Sequence, residues 1–156
     1  MAVCGQSQPD AALESIAEEV GQLLAEAGAI LICGGLGGVM EAASRGASTA
    51  GGLVLSILPG DDRKAANPHG GVVLATGLGS LRDGLIVRGA DVVIAIGGGW
   101  GTLSEIAQAC RLGRPVIAIG SWELRSPNAA ENGLVSLAPG ARMAVAMALE
   151  AIADGS

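Results

Sequence analysis

Two kinds of segment alternate along the chain. Short runs of aliphatic and β-branched residues, too short for helices, are typical of strands that are covered on both faces. We predict strands at residues 2–5, 29–33, 53–57, 72–75, 92–96 and 115–119, and a weaker one at 134–137. Most intervening segments have apolar residues at helical spacing, and the clearest helix follows Asp10 as N-cap and ends at Gly28.

Alternating strands and helices predict βαβ crossovers and an open parallel sheet. We therefore expect an α/β protein with a doubly wound sheet between two helical layers. The 156 residues, half of them hydrophobic, are enough for one such core, so we predict a single domain over residues 1–156. Ligands of these sheets bind at the carboxyl ends of strands, where the winding reverses.

A glycine-rich corner follows the fifth predicted strand. It consists of Gly97, Gly98, Gly99, Trp100 and Gly101. Glycines let backbone amides approach a ligand, and the start of the following helix attracts anions such as phosphate. We expect Thr102 to cap that helix and to offer its hydroxyl, and Glu105 to face the ligand. The alternative is a plain glycine-rich connection with Glu105 as a solvated residue.

Two further glycine turns should open on the same edge of the sheet. Their candidate ligand-binding residues are Gly34, Gly35 and Gly37 after the second strand, and Thr76 and Gly77 after the fourth. The polar loop at residues 61–71 carries the lone His69 and is placed to close over a ligand. We interpret His69 as a loop residue, solvated or beside the ligand, with a catalytic base as the alternative.

Arginine is the cation that the sequence offers to such a site. Arg82 stands in the first turn of a predicted helix at 81–88, and its planar guanidinium matches a phosphate or carboxylate. Arg88 is interpreted as a charge on the last turn. On this helix we expect Leu81, Leu85 and Ile86 to face inward.

Charge and composition exclude several classes of partner. The net charge is -6, Lys64 is the single lysine, and Tyr and Phe are absent. This argues against a nucleic-acid or anionic membrane partner and against base stacking on a strand platform. No leader or hydrophobic span is recognisable, so we expect a cytoplasmic protein. A bound phosphate must then be held mainly by backbone amides and a few arginines.

The three cysteines do not form a recognisable metal or disulfide pattern. An odd count without CxxC spacing predicts neither a disulfide framework nor a metal site. Cys4 and Cys33 should end strands near the site, as buried apolar residues or, alternatively, as reactive thiols. Trp122, in the loop after the sixth strand, could pack over a ligand ring or against the sheet.

The glycine corner also carries a family resemblance. Residues 97–105, Gly-Gly-Gly-Trp-Gly-Thr-Leu-Ser-Glu, resemble the PGGxGTxxE signature of the LOG-type or lysine-decarboxylase-like Rossmann proteins, with Gly97 in place of proline. Segments 34–41, 45–47 and 51–52 resemble the first half of these proteins. Thr-Gly-Leu-Gly at 76–79 and Arg-Asp at 82–83 are most similar to the branch that includes the molybdenum cofactor carrier proteins.

The resemblance implies a Rossmann-like fold and a homo-oligomer, a dimer or a tetramer. In LOG-type phosphoribohydrolases an arginine and the motif glutamate act on the N-glycosidic bond of a nucleoside 5′-monophosphate, and Arg82 and Glu105 stand at those positions. The LOG pattern has a lysine after the arginine and a second glutamate before the last, where this chain has Asp83 and Ser104. No residue supports lysine decarboxylase activity.

Two functions follow. The first is a binding or carrier protein for a phosphate-bearing small molecule, a nucleotide or a molybdopterin-type cofactor, with Arg82 as counter-ion and no cofactor required. The second is a phosphoribohydrolase in which Glu105 positions or activates water and Arg82 stabilises developing charge. A dinucleotide dehydrogenase is disfavoured, because neither glycine corner gives a clean GxGxxG and no substrate domain is present.

Overall fold

A computed structural model describes residues 1–128 and 132–154. The strands are β1 (Ala2–Gly5), β2 (Leu31–Cys33), β3 (Val54–Leu58), β4 (Val72–Ala75), β5 (Val93–Ile96), β6 (Val116–Ile119) and β7 (Val135–Leu137). The helices are α1 (Ala11–Glu26), α2 (Val39–Thr49), α3 (Asp83–Arg88), α4 (Trp100–Arg111) and α5 (Ala141–Asp154), with short 3₁₀ turns at Arg63–Ala65 and Gly79–Arg82. The predicted strands and helices are thus present, with shifts of one or two residues at some ends.

The strands form one parallel sheet in the order β4-β3-β2-β1-β5-β6-β7. The chain winds outward from β1 to β4 and then returns to place β5 on the other side of β1. Val3 is registered with Ile94, and Ile94 with Ile117. The winding therefore reverses between β1 and β5, and the carboxyl ends of these strands mark the expected ligand edge. The predicted α/β, Rossmann-like, doubly wound fold is confirmed.

Helices cover both faces of the sheet, because successive strand residues point to opposite sides. Buried residues of α1, α2 and α5 share one apolar cluster with Val3 and Ile94. Buried residues of α3 and α4 share the other with Cys4 and Ala95. Helices therefore cover both faces of the two central strands, β1 and β5. This packing fixes the positions of the loops at the ends of these strands. Among the described residues, no helix has the length and apolar character needed to cross a membrane.

The prediction that Leu81, Leu85 and Ile86 face inward is only partly confirmed. Ile86 is fully buried, but Leu81 and Leu85 are 78% and 40% exposed. For Leu81 the reason is that the 3₁₀ turn Gly79–Arg82 precedes the helix, so residues before Asp83 do not follow the 3.6-residue period. Leu85 lies within α3, where Ile86 and Val87 are the buried residues. Arg82, a charged residue, is buried in this segment instead of Leu81.

Candidate functional site

A hollow of about 320 Å³ lies at the reversal point between β1 and β5. We call it the Arg82 hollow, and its lining residues are Gly5, Gln6, Ser7, Met40, Arg82, Asp83, Gly99, Trp100, Gly101, Thr102 and Glu105. The structure thus brings together Arg82, Glu105 and the end of the second glycine corner, which the sequence had placed at one edge. This volume lies at the lower end of the range for small-molecule sites.

Arg82 is the buried cation of this hollow. Its residue is 8% exposed, and within residues 1–128 and 132–154 its Nε and Nη1 atoms have no hydrogen-bond partner. Nε lies 3.2 Å from Oδ1 of Asp83, in an ion pair whose geometry is not that of a hydrogen bond. Buried donors without acceptors are costly, so native proteins rarely retain them without a reason. A bound anion is the partner that this arrangement fits.

The start of helix α4 supplies further donors. The helix begins at Trp100, and its N-cap is Gly99, in an extended conformation with no side-chain hydrogen bond. The first amides of a helix have no partners within it, so those of its first turn can bind an anion. The predicted capping role of Thr102 is wrong, because Thr102 lies inside the first turn and is buried.

The glycine corner itself is shaped by its neighbours. Gly97 has φ +62°, a conformation that favours glycine, and its N–H donates to the carbonyl of Ile119. A side chain on Gly98 would meet the Trp122 ring, whereas Gly99 and Gly101 face open space. The chain therefore changes direction at Gly97, and the space beside Gly99 and Gly101 is free.

Trp122 supports this corner from the next loop. Its Nε1 donates to the carbonyl of Gly99 at 3.2 Å, and its ring centroid lies 5.4 Å from that of Trp100 at a 34° tilt. Trp122 also packs against the apolar cluster of α3 and α4, whereas Trp100 is 79% exposed at the rim of the hollow. This packing agrees with the predicted contact of Trp122 with the sheet, and its alternative role over a ligand ring stays a prediction.

Glu105 and Cys4 meet at this site. Burial raises the pKa of Glu105 to about 8, with a further increase from Asp83, while Arg82 and the Cys4 thiol act in the opposite direction. Burial and the nearby Glu105 carboxyl raise the pKa of Cys4 well above its ordinary value. Glu105 therefore carries its proton at neutral pH, and Cys4 is a buried, unreactive thiol. Glu105 is not the solvated helix residue of the alternative interpretation.

Asp83 belongs to the same cluster. Burial raises the pKa of its carboxyl group, and the neighbouring Arg82 lowers it. Asp83 and Glu105 therefore compete for one guanidinium in a partly buried space. This competition leaves the site with a single buried cation and a protonated carboxyl group, rather than with two free carboxylates.

The first glycine corner lies beside the hollow. The carbonyl of Gly35 accepts from the N–H of Asn67 at 2.9 Å, and Asn67 Nδ2 donates to the carbonyl of Leu36 at 3.1 Å. The 61–71 loop is thus fastened to this corner. His69 is held there through its backbone, since its N–H donates to Asn67 Oδ1 and its carbonyl accepts from Ser48 Oγ.

Not every predicted ligand residue reaches the hollow. Gly37 lies near Glu41, on the α2 side of the first corner. Thr76 and Gly77 follow the edge strand β4, and the hydroxyl of Thr76 donates to the carbonyl of Leu58 at 2.7 Å. Gly34, Gly35, Gly97 and Gly98 are also not among the residues that line the hollow, and the ligand contacts of all the predicted site residues stay predictions.

Gln6 is a site residue that the sequence reasoning missed. Its Oε1 accepts from the N–H of Gly98 at 3.2 Å, so it joins the loop after β1 to the second glycine corner. The available signal was its position, a polar residue directly after what proved to be the central strand. Among the described residues, no group of three or more His, Cys, Asp or Glu side chains is arranged to hold a metal ion.

A larger hollow, about 640 Å³, lies elsewhere on the molecule. It is lined by the second half of α4 and by parts of the segment after β6: Ala107, Cys110, Arg111, Leu124, Arg125, Ser126, Asn132, Gly133 and Val135. None of the predicted ligand residues takes part in it. The chemistry described above therefore favours the smaller hollow as the functional site.

Two proteins of known sequence are similar to this chain over most of its length. An uncharacterised protein of Archaeoglobus fulgidus is 41% identical over 141 residues, covering 86% of this chain and 93% of its own length. A probable cytokinin riboside 5′-monophosphate phosphoribohydrolase of rice, LOGL5, is 34% identical over 109 residues. That match covers 67% of this chain and 44% of the rice protein.

Solved structures of molybdenum cofactor proteins share the whole fold. The molybdenum cofactor binding protein of Rippkaea orientalis has a TM-score of 0.89 at 35% identity, covering 97% of this chain and 95% of its own. The Moco carrier protein of Chlamydomonas reinhardtii has a TM-score of 0.86 at 32% identity, covering 98% and 96%. The profile of the SLOG cluster4 family matches residues 1–145. The chain therefore belongs to the SLOG cluster4 family, within the LOG-like proteins and near the molybdenum cofactor carriers.

Proposed function

We propose that this protein binds and carries a phosphate-bearing small molecule of the molybdopterin type in the Arg82 hollow. The observation that carries the proposal is the buried guanidinium of Arg82, whose Nε and Nη1 lack hydrogen-bond partners among the described residues. Arg82 lines the same hollow as the start of α4. A guanidinium and helix amides together form a site for a doubly charged phosphate.

The remaining lining residues fit the rest of such a molecule. A molybdopterin-type cofactor joins a phosphate to a flat, nitrogen-rich ring system. Trp100, exposed at the rim, offers an aromatic face to that ring, and protonated Glu105 offers a hydrogen-bond donor. Gly99 and Gly101 have free space beside their backbone, so a ligand can approach closely. A nucleotide shares these features, and the choice of a molybdopterin-type ligand is supported by the carrier proteins of the same fold.

A cofactor transfer experiment tests this proposal. The protein is mixed anaerobically with molybdenum cofactor released from a molybdoenzyme, passed through a desalting column, and assayed for the fluorescent oxidised pterin. We expect the wild type and Arg88→Gln to retain cofactor, since Arg88 is exposed at the far end of α3. Arg82→Gln should retain at least about tenfold less. Equal retention by Arg82→Gln, or none by the wild type, would contradict the proposal.

A phosphoribohydrolase is the alternative, and one observation favours it. Glu105 lines the same hollow as Arg82 and is protonated at neutral pH, as a general acid for a departing base requires. Against it, Asp83 stands where the LOG pattern has lysine. Incubation with AMP followed by chromatography separates the two functions. Free adenine that disappears in Glu105→Gln would support the enzyme, whereas AMP recovered intact after binding would support the carrier.

We also propose that the protein is a cytoplasmic homo-oligomer, a dimer or a tetramer, without a nucleic-acid or membrane partner. Leu78, Leu81 and Leu85 are exposed beside the site, and a second copy would cover them. The net charge of -6 supports the absence of anionic partners. Light scattering on the wild type and on Leu81→Glu tests the assembly. We expect an oligomer that Leu81→Glu weakens, and a monomeric wild type would contradict it.

A further inference from the structure

Gly34, directly after β2, is not required by the path of the backbone. Gly35 has φ +71° and Gly38 has φ +69°, whereas Gly34 is not among the residues with positive φ. The φ angle of Gly34 is therefore not one that requires glycine. What excludes a side chain is the surrounding space. A Cβ on Gly34 would overlap Nη1 of Arg82 and lie 2.7 Å from its Nη2.

We propose that Gly34 is a positioning residue for Arg82: its missing side chain leaves the space in which the guanidinium lies. Asp83 holds the Nε end of the same group at 3.2 Å. The two residues together fix the guanidinium in its buried position at the hollow. The effect on ligand affinity rests on the proposed function, whereas the effect on Arg82 itself does not.

The effect of a methyl group at residue 34 depends on which atoms it would contact. On Gly34, the new Cβ meets the ends of two flexible side chains, since Met40 Sδ would also lie at 2.7 Å. On Gly5, in contrast, it would collide with the backbone carbonyl of Ile96. Gly34→Ala should therefore move the guanidinium and leave the sheet intact, whereas Gly5→Ala should disturb the sheet itself.

Arginine modification measures the position of Arg82 without any ligand. Phenylglyoxal labelling, followed by peptide mass spectrometry, gives a rate for each arginine. We expect Arg82 to react at least about tenfold faster in Gly34→Ala than in the wild type, because its buried donors become accessible. Gly37→Ala is the matched control in the same loop, since its Cβ would make only an ordinary 3.7 Å contact with Glu41. A wild-type rate at Arg82 in Gly34→Ala would overturn the proposal.

A thermal melt covers the case in which Gly34→Ala is poorly folded. If the added methyl acts through Arg82, removal of the guanidinium must relieve its cost. Gly34→Ala should then lower the melting temperature much less in an Arg82→Ala background than in the wild type, since only the contact with the flexible end of Met40 is left. If Gly34→Ala lowers the melting temperature by the same amount in the double variant as in the wild type, the methyl group disturbs something other than Arg82. That result would overturn the proposal.

Calorimetry with AMP and inorganic phosphate links the position of Arg82 to affinity. We expect Gly34→Ala to weaken binding at least about tenfold and to have no further effect in an Arg82→Gln background. An equal loss in both backgrounds would contradict the positioning role. Absence of binding by the wild type would instead contradict the proposed function, and the modification rate would still decide the role of Gly34.

Discussion

Cys4 and Glu105 shift each other's pKa, which couples the central strand β1 to helix α4: the Glu105 carboxyl group raises the pKa of the Cys4 thiol, and Cys4 lowers the pKa of Glu105. The pair lies at the edge of the Arg82 hollow, where Asp83 and Arg82 are the nearby charges. Because burial has the largest effect on Glu105, this carboxyl group stays protonated well above the pH at which a solvated glutamate ionises. A neutral Glu105 leaves Asp83 as the carboxylate paired with Arg82, and the Nη1 donor of the guanidinium can then bind an anion.

The stability of the protein should fall as the pH rises between the two pKa values of Glu105. The pKa is about 8 in the folded protein and 4.5 ordinarily, so in this window the folded state binds more protons than the unfolded state. The free energy of unfolding then decreases with rising pH, by on the order of 1 kcal/mol or more. Glu105→Gln should flatten this dependence.

Urea unfolding at about pH 5 and about pH 8 measures this dependence. Asp83, whose pKa is also raised, acts in the same direction above its ordinary pKa of 3.8, and this effect should remain in the Glu105→Gln variant. Glu150→Gln, at an exposed position of α5, is the control. A Glu105→Gln variant with the same slope as the wild type would show that Glu105 ionises normally, because the N-terminal amine of Met1, whose pKa burial lowers and which acts in the opposite direction, is present in both proteins.

Replacement of Arg82 by methionine should remove anion binding. It eliminates the unpartnered Nε and Nη1 donors but leaves the Asp83 carboxyl group without its ion-pair partner, so its two effects on stability oppose each other. We expect a change within about 2 kcal/mol in unfolding free energy and a loss of phosphate-ester affinity of at least about tenfold. Denaturation and calorimetry on the same preparations measure both. Retained affinity would contradict the assignment of Arg82.

A valine at Gly99 or Gly101 should abolish ligand binding without unfolding the protein. Neither position has a heavy atom within 4 Å of an added Cβ, so the fold has room for a side chain. The same side chain would occupy the space in which a ligand approaches the first amides of α4. Gly60→Val, which also meets open space but does not line the hollow, is the matched control.

Calorimetry with AMP and a circular dichroism melt for each glycine variant test this prediction. Unchanged affinity in Gly99→Val and in Gly101→Val would exclude the glycine corner as the binding loop. A comparable loss in Gly60→Val would point to a general effect of valine.

The Trp122→Phe variant should loosen the glycine corner and weaken binding moderately. It removes the hydrogen bond from Nε1 to the carbonyl of Gly99 but keeps most of the packing. We expect a several-fold loss of affinity, in line with about 1 kcal/mol for one hydrogen bond. The fluorescence of Trp100, then the remaining tryptophan, should change on ligand addition because its ring is exposed at the rim. If the fluorescence of Trp100 does not change in a variant that still binds AMP, the ligand binds elsewhere.

Much of the fold could be predicted because it depends on local patterns. The buried strand β5, the glycines after it and the helical spacing that follows are adjacent in sequence, and the period change alone identifies the corner. The same logic placed Arg82 at the ligand edge, because the carboxyl ends of parallel strands lie together. Local signals thus predicted that Arg82 and Glu105 lie together, even though they come from different βα units.

Other features depend on contacts that no local pattern carries. Gln6 reaches Gly98 across 92 residues, and the link from Cys4 to Glu105 spans a similar distance. The outward position of Leu81 follows from a 3₁₀ turn that has no distinctive residues. The start of α4 at Trp100 depends on the extended conformation of Gly99, for which glycine has no preference.

The most direct test is a crystal structure of the protein grown with AMP. We predict that the phosphate lies within hydrogen-bond distance of the Arg82 guanidinium and of the first-turn amides of α4, and that the same crystals of Arg82→Met hold no ester there. A phosphate bound elsewhere, or a hollow that stays closed around an undisturbed Arg82 at saturating AMP, would contradict the account.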